Sequence, residues 1–314
     1  MHPSTLARAS SLLPHHLHAV AATITSIKPS TAEKGKGRLD QRHLQKALEA
    51  LHKDGIVVVE DVVDHAAIDK LNARMIKDTR VLMDRGHDGP FNYNLGNLQQ
   101  SPPFEVENFH PNIFFNPFAT QLTGSFLGGR PIVSFLSSNV AVKAEEGQPI
   151  HCDADFDHPK IPFATVVNVG LIDMEPSNGS TEIWPGTHTD TDISFYEGDH
   201  GERASGRIRQ NYLEARRAIS PPFQPVIKKG SIVVRDLRLW HAGMPNRTDD
   251  IRVMLAMIHF APWYRQRMTL TLPESLRDVV NGQPDLDIAA TFTTNEVDHL
   301  AAGYGNAFDF NQDP

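Results

Sequence analysis

The sequence has little cysteine, no excess of positive charge and no long apolar run, and each shortage excludes a class of protein. Cys152 is the single cysteine among 314 residues, so a scaffold held by internal disulfides is excluded. Because 30 basic residues stand against 38 acidic ones, the net charge is −8 and no global field attracts nucleic acid. No stretch approaches the roughly 18 uninterrupted apolar residues of a membrane helix. We therefore expect a small-molecule partner rather than nucleic acid or a membrane.

The sequence does have enough length for a large core, and it has many histidines. Its 314 residues are 40% hydrophobic, which suits one large domain or two ordinary ones. The 16 histidines are about twice an ordinary share. Histidine is a common metal ligand. These histidines are therefore either scattered over the surface or include the ligands of a metal site.

Residues 1–38 are predicted to form an N-terminal tail or a short helix. The segment is rich in Ser, Thr and Ala, and Glu33 is its one acid. Such a composition is also typical of a transit peptide, but arginine is too scarce here to favour one. Together with the single cysteine, this favours a reducing, cytoplasmic location.

Helical periodicity is concentrated in the first part of the chain. The pattern predicts a helix at 40–53, a buried strand at 56–59 and a second helix that Asp64 caps. Residues 84–118 are rich in Gly, Asn and Pro and are predicted to form a long ordered loop. Its part from Phe91 to Phe118 either closes over a substrate or is structural. A short helix is predicted around 118–127.

From Pro131 onward, short apolar runs alternate with turn residues. The runs lie at 132–143, 163–173, 181–184, 226–227, 231–235 and 251–260. This pattern predicts a mainly β fold, an antiparallel barrel or jelly roll with the early helices packed outside. The charged stretch 194–217 is predicted to be an inserted loop or an exposed helix. Residues 265–314 give no clear prediction.

The densest chemical pattern is His151-Cys152-Asp153. On a strand, residues 151 and 153 project to the same face, whereas Cys152 points to the other. An imidazole and a carboxylate side by side are two ligands of a metal site. Most pairs of this kind arise by chance, so the interpretation depends on a third ligand.

His241 is the candidate for that third ligand. It follows an apolar strand, and Arg252 lies eleven residues further on, at the start of another apolar strand. A guanidinium in such a strand is costly unless an anion pairs with it. Two histidines and one carboxylate leave three open positions on a metal, as in the non-haem Fe(II) oxygenases. Arg252 would then hold the far carboxylate of 2-oxoglutarate.

In these motifs the sequence resembles the phytanoyl-CoA dioxygenase (PhyH)-like Fe(II)/2-oxoglutarate oxygenases, most closely the fungal group that acts in secondary metabolism. The resemblance spans roughly residues 45–263. It rests on three motifs, in order: Gln-Pro-Ile-His-Cys-Asp at 148–153, Asn-Gly-Ser-Thr at 178–181 with Pro-Gly-Thr-His at 185–188, and Trp-His-Ala-Gly at 240–243 leading to Arg252. It implies a double-stranded β-helix (jelly roll, cupin-like) in a single domain at 39–314, with its core at about 131–263.

The resemblance also implies the site. Iron would be held by the catalytic residues His151, Asp153 and His241, and Arg252 would bind the C5 carboxylate of 2-oxoglutarate. Gln148 and Thr181 match positions that often contact the cosubstrate in fungal members. The cofactors would be Fe(II), 2-oxoglutarate and O2, with ascorbate in a supporting role.

The implied activity is that of a dioxygenase that oxidises an unactivated C–H bond of a small natural-product intermediate. Hydroxylation, desaturation and oxidative cyclisation or rearrangement all stay open. Related halogenases replace the carboxylate ligand with a small residue, so Asp153 argues against halogenation. Family resemblance also favours a homodimer.

Three alternatives remain. The protein could be a phytanoyl-CoA-like acyl hydroxylase, a catalytically silent jelly-roll metal-binding protein, or a zinc hydrolase or isomerase, which needs no arginine for a cosubstrate. Among the other charged residues and histidines, we expect neighbouring or structural roles: Asp155 at the rim or beside the ligands, His188 in its turn, His259 in the core, and Arg235 and Arg238 in salt bridges.

Overall fold

The computed structural model describes residues 23–199 and 206–313, and the fold within them is mixed and sheet-rich. The helices are α1 (Thr31–Lys36), α2 (Gln41–Asp54), α3 (His65–Met83), α4 (Pro111–Phe114), α5 (Pro117–Leu127), α6 (Gln210–Ile219) and α7 (Arg277–Asn281). The strands are β1 (Ser26–Ile27), β2 (Ile56–Val59), β3 (Asn97–Gln99), β4 (Ile132–Ala141), β5 (Ala164–Gly170), β6 (Thr181–Ile183), β7 (Ile232–Asp236), β8 (His241–Gly243), β9 (Arg252–Phe260), β10 (Leu270–Pro273), β11 (Asp287–Ile288) and β12 (Ala290–Thr293). None of the described helices has the length and apolar character needed to cross a membrane.

The early elements begin and end where the sequence signals predict. The carboxylate of Asp40 accepts from the backbone N–H of His43 at the start of α2, and that of Asp64 accepts from Ala67 at the start of α3. Helix α2 ends at Gly55, whose positive φ of 78° is the left-handed conformation that glycine adopts most readily. The predicted helices at 40–53 and after Asp64, and the buried strand at 56–59, are confirmed.

The described part of the predicted N-terminal tail, residues 23–38, contains β1 and α1. Strand β1 pairs in parallel with β2. Helix α1 begins with a capping box, in which Ser30 and Glu33 exchange hydrogen bonds. Residues 1–22 lie outside the described part, so the prediction for the segment as a whole stays a prediction.

One sheet contains eight strands and forms the centre of the molecule. Its order is β1-β2-β7-β5-β9-β4-β11. Strand β3 pairs with the C-terminal end of β4, whereas β11 pairs with the N-terminal end. Strand β5 lies in the middle, and all seven of its residues are buried. A separate antiparallel pair joins β6 to β8. The prediction of a sheet-rich fold with helices before it is confirmed at this level.

The sheet extends beyond the predicted core at 131–263. Strand β2 pairs with β7 on one side, and β11 pairs with β4 on the other. The first pairing has a simple cause, because four consecutive apolar residues gain both burial and ladder hydrogen bonds beside β7. The spacing of apolar runs does not reveal such long-range pairings.

Two further predictions need correction or limits. Residues 84–118 are mostly irregular, as predicted, but they also contain β3 and α4, which are too short to show a periodicity. The stretch 194–217 contains most of α6, a helix with one buried residue, Leu213, which fits the prediction of an exposed helix. Residues 200–205 of this stretch lie outside the described part.

Candidate active site

His151, Asp153 and His241 converge at one point. One ligand atom from each lies within 4.8 Å of the other two. The Nε2 atoms of both histidines are 3.7 Å from Oδ1 of Asp153, and the two imidazole centres are 4.4 Å apart. Both histidines are almost fully buried, whereas Asp153 is one-quarter exposed. The three predicted ligands therefore form a single group that one metal ion can contact.

The two histidines meet across a backbone bridge. The N–H of each donates to the carbonyl of the other, both at 3.0 Å. Asp153 lies in a bend rather than on a strand, so the expectation that residues 151 and 153 share one face of a strand is wrong. The carboxylate reaches the site because the chain turns after His151. Cys152 is buried, and its thiol points to the carbonyls of Ala154 and Leu237 rather than joining the group.

Backbone carbonyls orient both imidazoles. Nδ1 of His151 lies 2.9 Å from the carbonyl of Pro149, and Nδ1 of His241 lies 2.9 Å from that of Leu239. A carbonyl only accepts, so Nδ1 carries the proton and Nε2 keeps its lone pair. Burial lowers the pKa of His151, and it lowers that of His241 strongly. Both rings are therefore neutral and have Nε2 free to bind a metal.

Arg235 keeps the third ligand ionised. Burial raises the pKa of Asp153, but its charged surroundings, first of all the guanidinium of Arg235, outweigh burial and hold that pKa well below its ordinary value. Nη2 of Arg235 donates to Oδ2 of Asp153 at 2.6 Å, and Nε donates to the side chain of Asn168. This leaves Oδ1 facing the imidazoles, and it confirms the expectation that Arg235 forms a salt bridge.

Arg252 is fully buried and has no acidic partner in the described part of the chain. Its Nη atoms donate to the carbonyls of Gly179, at 2.8 Å, and Asn139, at 3.3 Å, while Nε has no partner. Burial alone lowers its pKa to about 10, so it stays charged at neutral pH. A buried cation that contacts only carbonyls is suited to receive an anion.

Gln148 and Thr181 lie beside β8, the strand that begins with the third ligand, His241. The backbone N–H of Gly243 donates to Oε1 of Gln148 at 2.9 Å, and Thr181 pairs with Gly243 in the β6–β8 ladder. A Cβ on Gly243 would lie 2.7 Å from Oε1 of Gln148, so a larger residue there would displace the end of the Gln148 side chain. Both Gln148 and Thr181 line the cavity described next.

A cavity of about 800 Å³ opens onto the three converging residues. Its described wall includes Arg235, Asn168 and the inward faces of β4 and β9. Part of the loop 91–118, which the sequence left open as a cover over a substrate, lines this cavity, but sequence reasoning did not identify two details of the wall. One is Tyr93, whose ring centre is 5.1 Å from that of His151 and whose φ of 70° is unusual for an aromatic residue. The other is the C-terminal stretch that contains Tyr304, Phe308 and Phe310.

Tyr93 lies close to the negative charge of the site. Burial raises the pKa of its phenol, and the carboxylates of Asp153 and Asp155 raise it further. The phenol is therefore neutral and keeps its proton. The unusual φ was not predictable, because a left-handed tyrosine leaves no composition or spacing signal.

The donor set fits Fe(II). Two neutral imidazole nitrogens and one carboxylate oxygen, with open space on the cavity side, are the facial arrangement that non-haem iron uses. A second acidic group in the described residues, made of Glu33, Asp40 and His43, does not have this character. There the carboxylate of Glu33 already accepts hydrogen bonds from Ser30 and Asp40, which link α1 to α2.

His259 and Arg238 have the structural roles expected for them, whereas His188 links its turn to α2 instead of acting within the turn. His259 is buried with Nδ1 2.9 Å from the hydroxyl of Thr123, and Nε2 of His188 lies 3.2 Å from the carbonyl of His52. Arg238 forms a buried ion pair with Asp236. Asp155 lines the cavity outside the three-residue group, as a rim residue would.

Comparison with known proteins gives a family match. The family model described as phytanoyl-CoA dioxygenase (PhyH) matches residues 51–254. A curated relative, dioxygenase af480 of Aspergillus fumigatus, is 28% identical over 186 residues, which are 57% of this chain and 54% of that protein. The chain therefore spans about half the length of that relative.

Solved structures share the fold. The epimerase SnoN, in complex with Fe3+, α-ketoglutarate and nogalamycin RO, matches 70% of this chain and 84% of its own at 18% identity and a TM-score of 0.54. AviO1 of Streptomyces viridochromogenes matches 70% and 95% at 20% identity and 0.51. These likenesses concern the fold. The matched family uses Fe(II), 2-oxoglutarate and O2, and the atoms of the His-Asp-His group lie close enough together to contact one such ion.

Proposed function

Because the chain belongs to the phytanoyl-CoA dioxygenase (PhyH) family, we propose that it oxidises an unactivated C–H bond of a small natural-product intermediate. The product would arise by hydroxylation, desaturation or oxidative cyclisation. The observation that supports this most strongly is that the chain has both the metal-binding group and a buried arginine, Arg252, without an acidic partner in the described residues. A fungal relative named as a dioxygenase is in accord with it.

In this proposal each residue has a defined task. His151, Asp153 and His241 hold Fe(II), and the carbonyls of Pro149 and Leu239 keep the imidazoles oriented toward it. With 2-oxoglutarate and O2 bound, the iron supplies the oxidising power that breaks a C–H bond. The buried walls of the cavity limit the access of water to that chemistry.

Arg252 has the task of holding the C5 carboxylate of 2-oxoglutarate. Strand β9 presents Arg252, Met254, Ala256 and Ile258 on one face, because residues two apart project the same way. The last three of these line the cavity, and Arg252 lies one step further along that face. The carbonyls of Gly179 and Asn139 hold its guanidinium in place. Gln148 and Thr181, at the neighbouring wall, complete the proposed cosubstrate site.

We also infer the finer architecture. The antiparallel strands of the main sheet and the β6–β8 pair would be the two faces of a double-stranded β-helix, with the metal group between them. The bridge between His151 and His241, which continues the ladder from β8, supports this interpretation.

The alternatives are less well supported. Arg235 is the one lysine or arginine in the described cavity wall, and Asp153 already pairs with it. The wall thus has no spare cation for the phosphates of an acyl-CoA. A zinc hydrolase would have no use for a buried arginine that lacks an acidic partner, as Arg252 does in the described residues.

The test is anaerobic titration of the protein with Fe(II) and 2-oxoglutarate. We expect a weak visible charge-transfer band in the wild type and its loss in His151→Ala, because one ligand and its orienting hydrogen bond disappear. His65→Ala, which removes an exposed histidine elsewhere, is the matched control and should keep the band. If the wild type gives neither the band nor 2-oxoglutarate-dependent succinate in air, the proposed function is wrong.

A further inference from the structure

A segment at the end of the chain borders the cavity of the metal group. We name residues 299–313 the C-terminal strap. Tyr304, Gly305, Asn306, Phe308 and Phe310 of this strap line the same cavity as the metal group. The strap lies beyond residue 254, where the family match ends. The match to the family therefore says nothing about this wall.

The strap is attached to the rest of the fold at both ends. At its start, Nε2 of His299 lies 3.0 Å from Oδ2 of Asp78 on α3, and Arg85 donates to the carbonyl of Leu300 at 2.9 Å. At its end, the hydroxyl of Tyr264 donates to the carbonyl of Phe310 at 2.9 Å, and Arg267 pairs with Asp313. The part between these attachments is held over the cavity.

Two aromatic residues of the strap pack on the floor of the cavity. The ring of Phe308 meets that of Phe135 edge to face, with centres 4.8 Å apart, and Phe310 meets the same ring at 5.5 Å. Phe135 lies on β4 opposite Ile258 of β9, which also lines the cavity. Together these four residues form an apolar end of the cavity.

This apolar end is distant from the proposed cosubstrate site. Arg252 and Ile258 are both on β9 and six residues apart, which is about 20 Å along a strand. Their partners on β4 are Ala141 and Phe135, at the same two ends. A chain of five carbons such as 2-oxoglutarate covers only part of that length. The apolar end is therefore left for the substrate.

We infer that Phe308 and Phe310 of the strap, with Phe135, select a substrate that carries an uncharged apolar ring system or chain. This inference rests on the proposed function, because it concerns the second reactant of the same site. The described wall has no unpaired lysine or arginine that would favour an anionic group there. Aromatic rings bind apolar rings through both area and edge-to-face contacts.

The probe for this inference is Nile red, a neutral polycyclic dye whose emission shifts to the blue in apolar surroundings. We would titrate it into the full-length protein loaded anaerobically with Fe(II) and 2-oxoglutarate. We expect binding to the wild type and binding weakened about fivefold or more in Phe308→Ala, from the lost ring contacts. Phe308→Leu, which keeps an apolar side chain, should lose less.

The matched control is Phe292→Ala, which removes a half-buried phenylalanine of β12 outside the cavity wall. It should leave dye binding unchanged. The inference is overturned if the wild type does not bind the dye, if Phe308→Ala binds like the wild type, or if Phe292→Ala weakens binding equally.

The charge-transfer band of each variant separates this inference from the proposed function. Phe308→Ala should retain the band with Fe(II) and 2-oxoglutarate, because its change lies at the other end of the cavity. A retained band with unaltered dye binding contradicts the role of the strap alone. An absent band in the wild type contradicts the proposed function, whatever the dye does.

Discussion

At the scale of single residues, Arg252 is the side chain whose surroundings most clearly indicate that it binds an anion. It is fully buried, and Nε has no partner among the described residues. A buried charge without a counter-ion costs free energy that a bound carboxylate would recover. The same argument explains why Arg235, which is also buried, does not compete for this role, since Asp153 already neutralises it.

We predict that Arg252→Met weakens the binding of 2-oxoglutarate by about 30-fold or more, since truncating one side of a buried charge pair costs at least about 2 kcal/mol. The measurement is the dissociation constant from the charge-transfer band. The folded protein should survive the change, because removing a buried charge offsets the two lost hydrogen bonds. Arg247→Met, at an exposed arginine, is the control. Unchanged affinity in Arg252→Met would exclude this arginine from the cosubstrate site.

That the three residues of the metal group come together was predictable from their types, whereas the backbone conformation that brings them together was not. Two histidines and an acid in family-like motifs indicate a shared ligand, whatever backbone brings them together. The bend at Asp153 and the bridge between His151 and His241 depend on pairing between segments 90 residues apart. The contact of Tyr93 with His151 and the position of the strap were not predicted for the same reason, because neither has a local pattern that indicates its distant contact.

At the scale of elements, the junction between α1 and α2 depends on one buried carboxylate. Burial raises the pKa of Glu33, but hydrogen bonds from the backbone of Asp40 and Ser30, the Ser30 hydroxyl and His43 bring it down to about 2. The folded pKa is thus below the ordinary value of 4.5. The stabilisation is therefore full above that ordinary value and is lost as the pH falls toward 2.

We predict that Glu33→Gln lowers the free energy of unfolding at pH 7 and that its difference from the wild type shrinks as the pH falls from 5 to 2. The amide replaces a charged acceptor that serves several donors, so the loss at pH 7 should be about 1–3 kcal/mol. Urea unfolding at several pH values measures it. Glu49→Gln, at an exposed acid of α2, should show little effect at any pH. A difference that does not depend on pH would contradict this explanation.

Helices and strands with their own periodicity were predictable at this scale, and elements that depend on a neighbour were not. Helices α2 and α3 have N-terminal caps and an apolar stripe, so their bounds follow from local chemistry. Strand β11 is two residues long and exists because β4 pairs with it. The C-terminal region from 265 therefore gave no prediction, although it closes one end of the cavity.

At the scale of the whole molecule, acid stability depends on histidines that fold as neutral groups. His259 lies on β9 and contacts Thr123 of α5, so it is at the interface between the main sheet and a helix. Burial lowers its pKa from 6.5 to about 3. Between pH 6.5 and 3, His259 is therefore protonated in the unfolded chain but not in the folded protein. The stability is present above the ordinary pKa and is lost as the pH falls toward 3.

We predict that His259→Leu reduces the pH dependence of global unfolding between pH 6.5 and 3 by up to one proton, or about 1.4 kcal/mol per pH unit. The replacement places an apolar side chain of similar size at the buried interface, so the variant should fold. Chemical denaturation at pH 8 and pH 5 measures the difference for the wild type and the variant. His87→Leu, at an exposed histidine, should keep the wild-type dependence. If both variants keep it, the proton is taken up elsewhere, and His259 does not limit the acid stability of the fold.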